Sequence, residues 1–211
     1  STRKESSAAS DVYKRQGTLC LVDREPRSLS PKDRELLQDL AAMAEDEIAA
    51  IQSATIDHLT QMSNRRGFEV LGNHVLATCA RLSLPATLLF FDLDGFKQIN
   101  DQHGHSEGDR ALQRFAEAMS LTFRTSDVYA RLGGDEFVVL LSNTSEPEIH
   151  AALERLQHAI DASNANVVPG LHLRFSAGAV TSEAGSEDIA ALLRKADQRM
   201  YENKRLRRTA V

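Results

Sequence analysis

The sequence predicts an α/β fold, of the α+β kind, in which helices alternate with a mostly antiparallel sheet. Three features carry that expectation. Thr87-Leu88-Leu89-Phe90-Phe91 is apolar almost throughout, as a strand buried on both faces is. Val128-Tyr129-Ala130 and Phe137-Val138-Val139-Leu140-Leu141 are two β-prone runs joined through Gly133-Gly134, which reads as a hairpin whose turn needs positive φ. Helical stretches lie before, between and after these runs.

The composition narrows the function classes. Of 211 residues, 42% are hydrophobic and 26% charged, and the formal net charge of −5 argues against nucleic acid as the main partner. No apolar run approaches transmembrane length. Cys20 and Cys79 have neither metal nor redox spacing, and two free thiols fit a reducing cytoplasm.

In chain order, residues 1–16 are polar and lack hydrophobic periodicity. Ser6 to Gln16, SSAASDVYKRQ, resembles translated sequencing-adaptor sequence, which would make the chain a gene fragment; a natural disordered linker is the alternative. Gly17 to Asp23 is expected to be a strand, followed by a turn-rich loop to Ser30. Ser30-Pro31 supplies an N-cap with proline at the first helical position, and a helix is expected over 32–54. This strand–loop–helix, 17–54, resembles the last segment of a GAF sensory domain, with a plain N-terminal extension as the alternative. Leu37, Leu40, Ala44, Ile48 and Ile51 form one stripe on the helix, suited to a dimerising signalling helix or to a packing face. Further elements are expected as a helix from Arg65 to about Arg81, a strand over 86–94, a loop, and a helix over 106–123. The hairpin 127–141, a helix over 147–162, a strand over 171–181 and a helix over 187–204 complete the set.

The chemistry-bearing residues cluster at strand ends. Asp135 and Glu136 follow the two glycines of the hairpin turn. Glycines let a backbone or a phosphate approach without a Cβ in the way, and adjacent acids suit a hard divalent cation. Asp92 and Asp94 end the 86–94 strand and, by alternation, project to the same side. Two acidic strand ends make a plausible metal cage for phosphoryl chemistry.

Four motifs in order then resemble the GGDEF, or diguanylate cyclase, family over about residues 55–208. They are Asp57-x-Leu59-Thr60-x-x-x-Asn64-Arg65-Arg66; Phe91-Asp92-Leu93-Asp94-x-Phe96-Lys97-x-x-Asn100-Asp101-x-x-Gly104-His105-x-x-Gly108-Asp109; Arg131-x-Gly133-Gly134-Asp135-Glu136-Phe137; and Asp197-x-x-Met200-Tyr201-x-x-Lys204. The chain departs from the family at Gln61 and Ser63, where Gly and Pro are usual, and at Arg207, where Gly is frequent. The resemblance implies the ferredoxin-like palm of nucleotidyl cyclases and a homodimer joining two GTP into cyclic di-GMP with Mg²⁺, Mn²⁺ being possible. A silent module that only binds cyclic di-GMP is the alternative.

The resemblance also implies roles. Asp92, Asp135 and the Leu93 carbonyl would be metal ligands. Asp135 is also the proposed proton acceptor, with Glu136 as a second metal or base contributor, and which carboxylate is the base stays open. Lys97 would stabilise phosphate charge. Lys204 and Arg208 would hold the triphosphate, and Gly133 and Gly134 would present backbone N–H groups to it. Asn100, His105 and Asp109 fall at substrate positions. A carboxylate accepts from guanine N1–H and N2–H₂, where adenine has an unprotonated N1. Arg124-x-x-Asp127, with Arg155 on the following helix, resembles the family's inhibitory product site.

Overall fold

The computed structural model describes residues 28–168, 170–182 and 187–209, without the side chains of 52, 146 and 207–209. The first sixteen residues and the strand expected at 17–23 lie outside the described residues, so the GAF-like segment 17–54 is described only from residue 28 onward. The described residues fall into two units that divide between Ala50 and Ile51.

The first described element, α1 (Pro31–Thr55), starts where proline pre-sets the helical φ. Ser30 Oγ accepts from the Asp33 N–H at 3.1 Å, while the Asp33 carboxylate accepts from the Ser30 N–H at 2.9 Å, a reciprocal cap. Leu40 and Ile48 of the expected stripe are exposed.

The second unit is a four-stranded antiparallel sheet flanked by helices. Its elements are α2 (Arg65–Leu82), β1 (Ala86–Leu93), α3 (Phe96–His103), α4 (His105–Thr122), β2 (Val128–Gly133), β3 (Glu136–Ser142), α5 (Glu146–Asn164), β4 (Phe175–Ser182) and α6 (Ile189–Thr209). The strand order is β2-β3-β1-β4, with β1 between β3 and β4. Two helix-connected halves interleaved in this way give the ferredoxin-like pattern.

Alternation along β1 sorts side chains between two cores. Leu89, Phe91 and Leu93 join Phe137, Val139 and Leu141 of β3 in one core, under Phe115 of α4 and Leu156 of α5. Phe91, Phe115 and Phe175 contact one another edge-on or tilted, at centroid distances of 5.6–6.0 Å. Leu88 and Phe90 join Val138 and Leu140 in the other, with Phe68 of α2 and Leu192 and Ala196 of α6. Gly178 on β4 lets α6 lie directly on the sheet: a Cβ there would meet the Met200 N at 2.2 Å and the Ala196 O at 2.3 Å.

Two expectations change. The loop expected after β1 contains α3. Gly95 (φ 74) and Gly104 (φ 86) bound that helix, and Ile99 is buried in the first core. The last strand starts at Phe175 rather than 171, because side chains take up the preceding backbone. Asn164 Oδ1 accepts from the Leu173 N–H at 2.7 Å, and Arg114 Nη1 donates to the Leu171 carbonyl at 3.1 Å.

The segment between α1 and α2 is sewn to the sheet. Asn64 Oδ1 caps α2 by accepting from the Gly67 N–H at 3.0 Å, and its Nδ2 donates to the Ala54 carbonyl at 3.1 Å. Ser63 bridges to Ala130 of β2. Within this turn Gln61 sits at φ 59, a left-handed conformation that costs a non-glycine residue about 1–2 kcal/mol. Glycine at this position fits the backbone without that cost. Gln61→Gly should therefore stabilise the domain by up to about 1 kcal/mol after allowing for the freer unfolded chain, despite losing the Gln61 Nε2 bond to the His58 carbonyl at 2.7 Å. Chemical denaturation checks it; a lower midpoint would show that the side-chain bond outweighs the strain.

Candidate functional site

The same alternation that builds the cores places the acids. Asp92 lies on the α2/α6 side of β1, opposite Glu136 of β3 in the antiparallel register. At this end of the sheet Lys204 of α6 donates from Nζ to Asp92 Oδ1 and stands 3.3 Å from Asp94 Oδ1. One ammonium reaching both acids agrees with the expectation that Asp92 and Asp94 share a side. Asp94 also accepts from Ser176 Oγ at 3.0 Å, so it is a bonded acid rather than a solvated one. Burial pulls the Lys204 pKa down, but its bonds to Asp92 and Asp94 outweigh that and hold it above the ordinary lysine value.

The β2–β3 turn brings the second pair of acids. The register shifts between Arg131 and Gly133, and Gly133 (φ 146) and Gly134 (φ 53) carry the backbone round. Space around both is open enough for a Cβ, so their conformation, not crowding, is what calls for glycine. The Asp135 carbonyl accepts from the Leu93 N–H at 3.2 Å, which ties the turn to the end of β1. Burial, and then the Asp92 charge, push the Asp135 carboxyl above the usual range. Glu136 is raised as well, first by burial. Repulsion from Asp197, Asp135 and Asp92 adds to this, against the pull of Arg65, whose Nη2 lies 3.8 Å away. Among the described residues, no three acidic, histidine or cysteine side chains already converge as a metal cage.

An open groove of about 1160 Å³ meets this cluster at Asp94 and Lys204 and runs along Gly95, Gln98, Arg174 and Ser176. Asp92 and Asp135 do not line it. Lys97, on the first turn of α3, is exposed.

Asn100 ends up beside α4 because Gly108 has no side chain. A Cβ on Gly108 would fall 1.9 Å from Asn100 Oδ1. Gly108 of the second motif is thus a packing requirement of the α3–α4 corner, whereas Gly104 has open space and is called for by its φ of 86. His105 and Asp109, both in the first turn and a half of α4, are exposed. The Arg208 side chain lies outside the described residues.

Arg124, Asp127 and Arg155 line one small cavity, so the structure brings together the three residues singled out from the sequence. Their bonding differs from a simple Arg–Asp pair. Asp127 Oδ2 accepts from the Arg124 backbone N–H at 2.9 Å, while Arg124 Nη2 faces Glu148 Oε1 at 3.5 Å. Burial raises the Asp127 carboxyl. Glu148 is held low mainly by hydrogen bonds from the Ser145 N–H and hydroxyl.

Sequence reasoning left Arg131 and Asp57 inside motifs without a role. Arg131 Nε and Nη2 donate to the Gly134 carbonyl at 3.0 and 2.8 Å, and its Nη1 meets both Asp57 oxygens at 3.2 Å. Arg65, Ser176 and Glu148 were also unassigned. The pairing of Asp92 with Glu136 was open to discovery from strand alternation once the register was known.

The chain matches the family model for the diguanylate cyclase GGDEF domain over residues 54–210. It is 32% identical over 168 residues to the probable diguanylate cyclase DgcC of Escherichia coli, covering 80% of this chain and 45% of that protein. It is 34% identical over 158 residues to the diguanylate cyclase DosC of the same species, covering 74% and 34%. The chain thus spans less than half the length of these curated relatives. Among solved structures it resembles the isolated GGDEF domain of TpbB (YfiN) from Pseudomonas aeruginosa, with TM-score 0.65 and 33% identity, covering 72% of this chain and 89% of that one. The active GGEEF domain of a Vibrio cholerae diguanylate cyclase is also similar, with TM-score 0.63 and 31% identity, covering 69% and 92%. By sequence and by fold, the chain belongs to the GGDEF diguanylate cyclase family.

Proposed function

We propose that this domain condenses two GTP into cyclic di-GMP with release of pyrophosphate, working as a homodimer. The observation that carries the reading is the convergence of Asp92, Asp135, Glu136 and Lys204 at one end of the central strand. Several acids crowded there, two of them raised by burial and mutual repulsion, fit a site built for added positive charge rather than for fold stability.

The donor set fits Mg²⁺ or Mn²⁺. It is all oxygen, and Mg²⁺ takes one or two carboxylates and completes its shell with water and substrate phosphates. Asp92, Asp135 and the Leu93 carbonyl would hold it. When bound, the cation would neutralise phosphate charge and lower the pKa of the attacking 3′-hydroxyl.

The remaining steps belong to the chain's own side chains. Lys204, already at the carboxylate cluster, can turn its ammonium to the triphosphate, with Arg208 one helical turn further on. Lys97, exposed at the start of α3, can meet phosphate charge as it develops. Gly133 and Gly134 leave room for phosphate oxygens against the turn backbone. Asn100 and Asp109 on the α3–α4 corner recognise guanine, with His105 beside them. A site lined by such groups disfavours adenine because its polar atoms would go unpaired. Asp135 or Glu136 accepts the 3′-hydroxyl proton. Each 3′-oxygen forms a bond to the other nucleotide's α-phosphorus, and pyrophosphate takes the electrons of the broken bond. One domain supplies one nucleotide, so two must face each other.

Incubation with GTP and Mg²⁺, followed by mass identification of the product, tests the reading. Cyclic di-GMP formed with specific activity that rises with protein concentration, and with ATP a poor competitor, supports it. Tight binding of cyclic di-GMP without any turnover would favour the receptor reading instead.

Product feedback is expected at the Arg124, Asp127 and Arg155 cavity. Structures of other GGDEF domains hold cyclic di-GMP, among them that of DgcB from Caulobacter crescentus. The Arg124 guanidinium is exposed and only loosely paired with Glu148, so it is available to a phosphodiester or a guanine edge. Arg124→Ala should weaken product affinity by about 1.5–3 kcal/mol while leaving product-free catalysis largely intact. Calorimetric titration of cyclic di-GMP checks it, and equal affinity in both proteins would remove this cavity from the account.

A further inference from the structure

We infer that Arg131 is a positioning residue for the Gly134-Asp135 turn, and that Asp57 in turn sets Arg131. This deepens the cyclase reading and rests on it. Two of the Arg131 donors, Nε and Nη2, converge on the Gly134 carbonyl at 3.0 and 2.8 Å. The third, Nη1, is shared between the two Asp57 oxygens at 3.2 Å. Both side chains are largely shielded, at 14% and 23% exposure, so this pair is unlike a solvated surface ion pair. Asp57 is itself fixed, accepting from the Thr60 N–H at 2.9 Å and the Thr60 hydroxyl at 2.7 Å. The Arg131 backbone is anchored as well, its N–H donating to the Ser63 carbonyl at 3.0 Å.

The turn needs such an anchor. Two consecutive glycines with open space around them leave its peptide planes free to rotate. Because a peptide unit is planar, holding the Gly134 carbonyl also fixes the Asp135 N–H and the direction in which the Asp135 Cα departs. The following peptide is held from the other side, where the Asp135 carbonyl accepts from the Leu93 N–H. Asp135 is therefore clamped between Arg131 and β1. A planar guanidinium fork can serve a carbonyl and a carboxylate at once, whereas a lysine ammonium cannot reproduce that geometry. The clamp also joins the segment that follows α1 directly to the acidic turn.

The test uses the whole chain with Arg131→Lys, Arg131→Ala and Asp57→Asn, reading kcat, KM for GTP and amide exchange. Small misplacement of a reacting group costs up to about 100-fold in rate. Arg131→Lys should lower kcat roughly 10- to 100-fold with a smaller rise in KM, because Asn100, Asp109 and Lys204 lie on other elements and only the phosphate contacts of Gly133 and Gly134 share the turn. Asp57→Asn should move kcat the same way, and the Arg131→Lys/Asp57→Asn double variant should lose no more than Arg131→Lys alone. Amides of 133–136 should exchange faster while those of 138–140 stay protected. Should Arg131→Ala fail to fold, Arg131→Lys and Asp57→Asn carry the test. Wild-type kcat in Arg131→Lys, or unchanged exchange across the turn, would overturn the inference, as would kcat, KM and melting temperature all shifting together. If the wild type makes no cyclic di-GMP the cyclase reading fails, and the exchange data alone still decide whether Arg131 holds the turn.

Discussion

Asp135→Ala and Asp92→Ala are each expected to lower cyclic di-GMP formation by at least about 10³-fold with the fold retained. Stabilising charge at a phosphoryl centre contributes several kcal/mol, and each of these acids is placed to hold the cation that supplies it. No neighbour replaces either one well. Asp94 is already bonded to Ser176 and Lys204, and Glu136 lies across the strand under the influence of Arg65 and Asp197. The fold should survive because both residues sit at the sheet's end rather than in either core, and removing one acid relieves repulsion on the others. In Asp92→Ala the Lys204 ammonium keeps Asp94 as a partner. Turnover assayed beside a thermal melt separates the outcomes. A variant with near wild-type turnover would take that acid out of the catalytic group.

Gly178→Ala should have the largest effect on stability. A single methyl group there would meet backbone atoms of α6, the Met200 N at 2.2 Å and the Ala196 O at 2.3 Å. A flexible side chain could swing aside, but a packed helix must move as a body, opening contacts along β4 and the second core. Overpacking of this kind costs about 3 kcal/mol or more. For a domain of this size that lowers the melting temperature by roughly 6–12 °C. Because α6 carries Lys204, GTP turnover should fall as well. A melting temperature within a degree or two of wild type would mean that α6 can shift at little cost.

The parts of the fold legible in the sequence were those written in local pattern. Strand β1 and the hairpin follow from apolar runs and paired glycines, and the α1 start from Ser30-Pro31. Elements whose backbone bonds go to distant side chains were not legible. The apolar Leu171 and Leu173 look like the start of a strand, yet Arg114 and Asn164 take their polar groups. Helix α3 is short and bounded by left-handed glycines, so it carries too little periodicity to stand out. In the candidate site, the motifs marked the acids, but spacing could not say that Arg131 would reach back to Asp57, or that the Arg124 side chain would face Glu148 rather than Asp127. Those pairings depend on where chain segments meet in three dimensions.

The central place of β1 has a consequence for how the domain assembles. Its two sheet neighbours come late: Asp92 pairs with Glu136 on one side and with Ser176 on the other. Only β2 and β3 are joined by a tight local turn, and a hairpin of that kind closes in microseconds. The remaining pairings are distant in sequence, and such contacts slow folding. The acidic turn can therefore take shape before the strand it will face. Lys204, on the last helix, reaches Asp92 and Asp94 only after β4 has joined the sheet and α6 has settled over Gly178. During synthesis the acids of β1 leave the ribosome well before the lysine that answers them, so the charge balance of this site is completed from the C-terminal end.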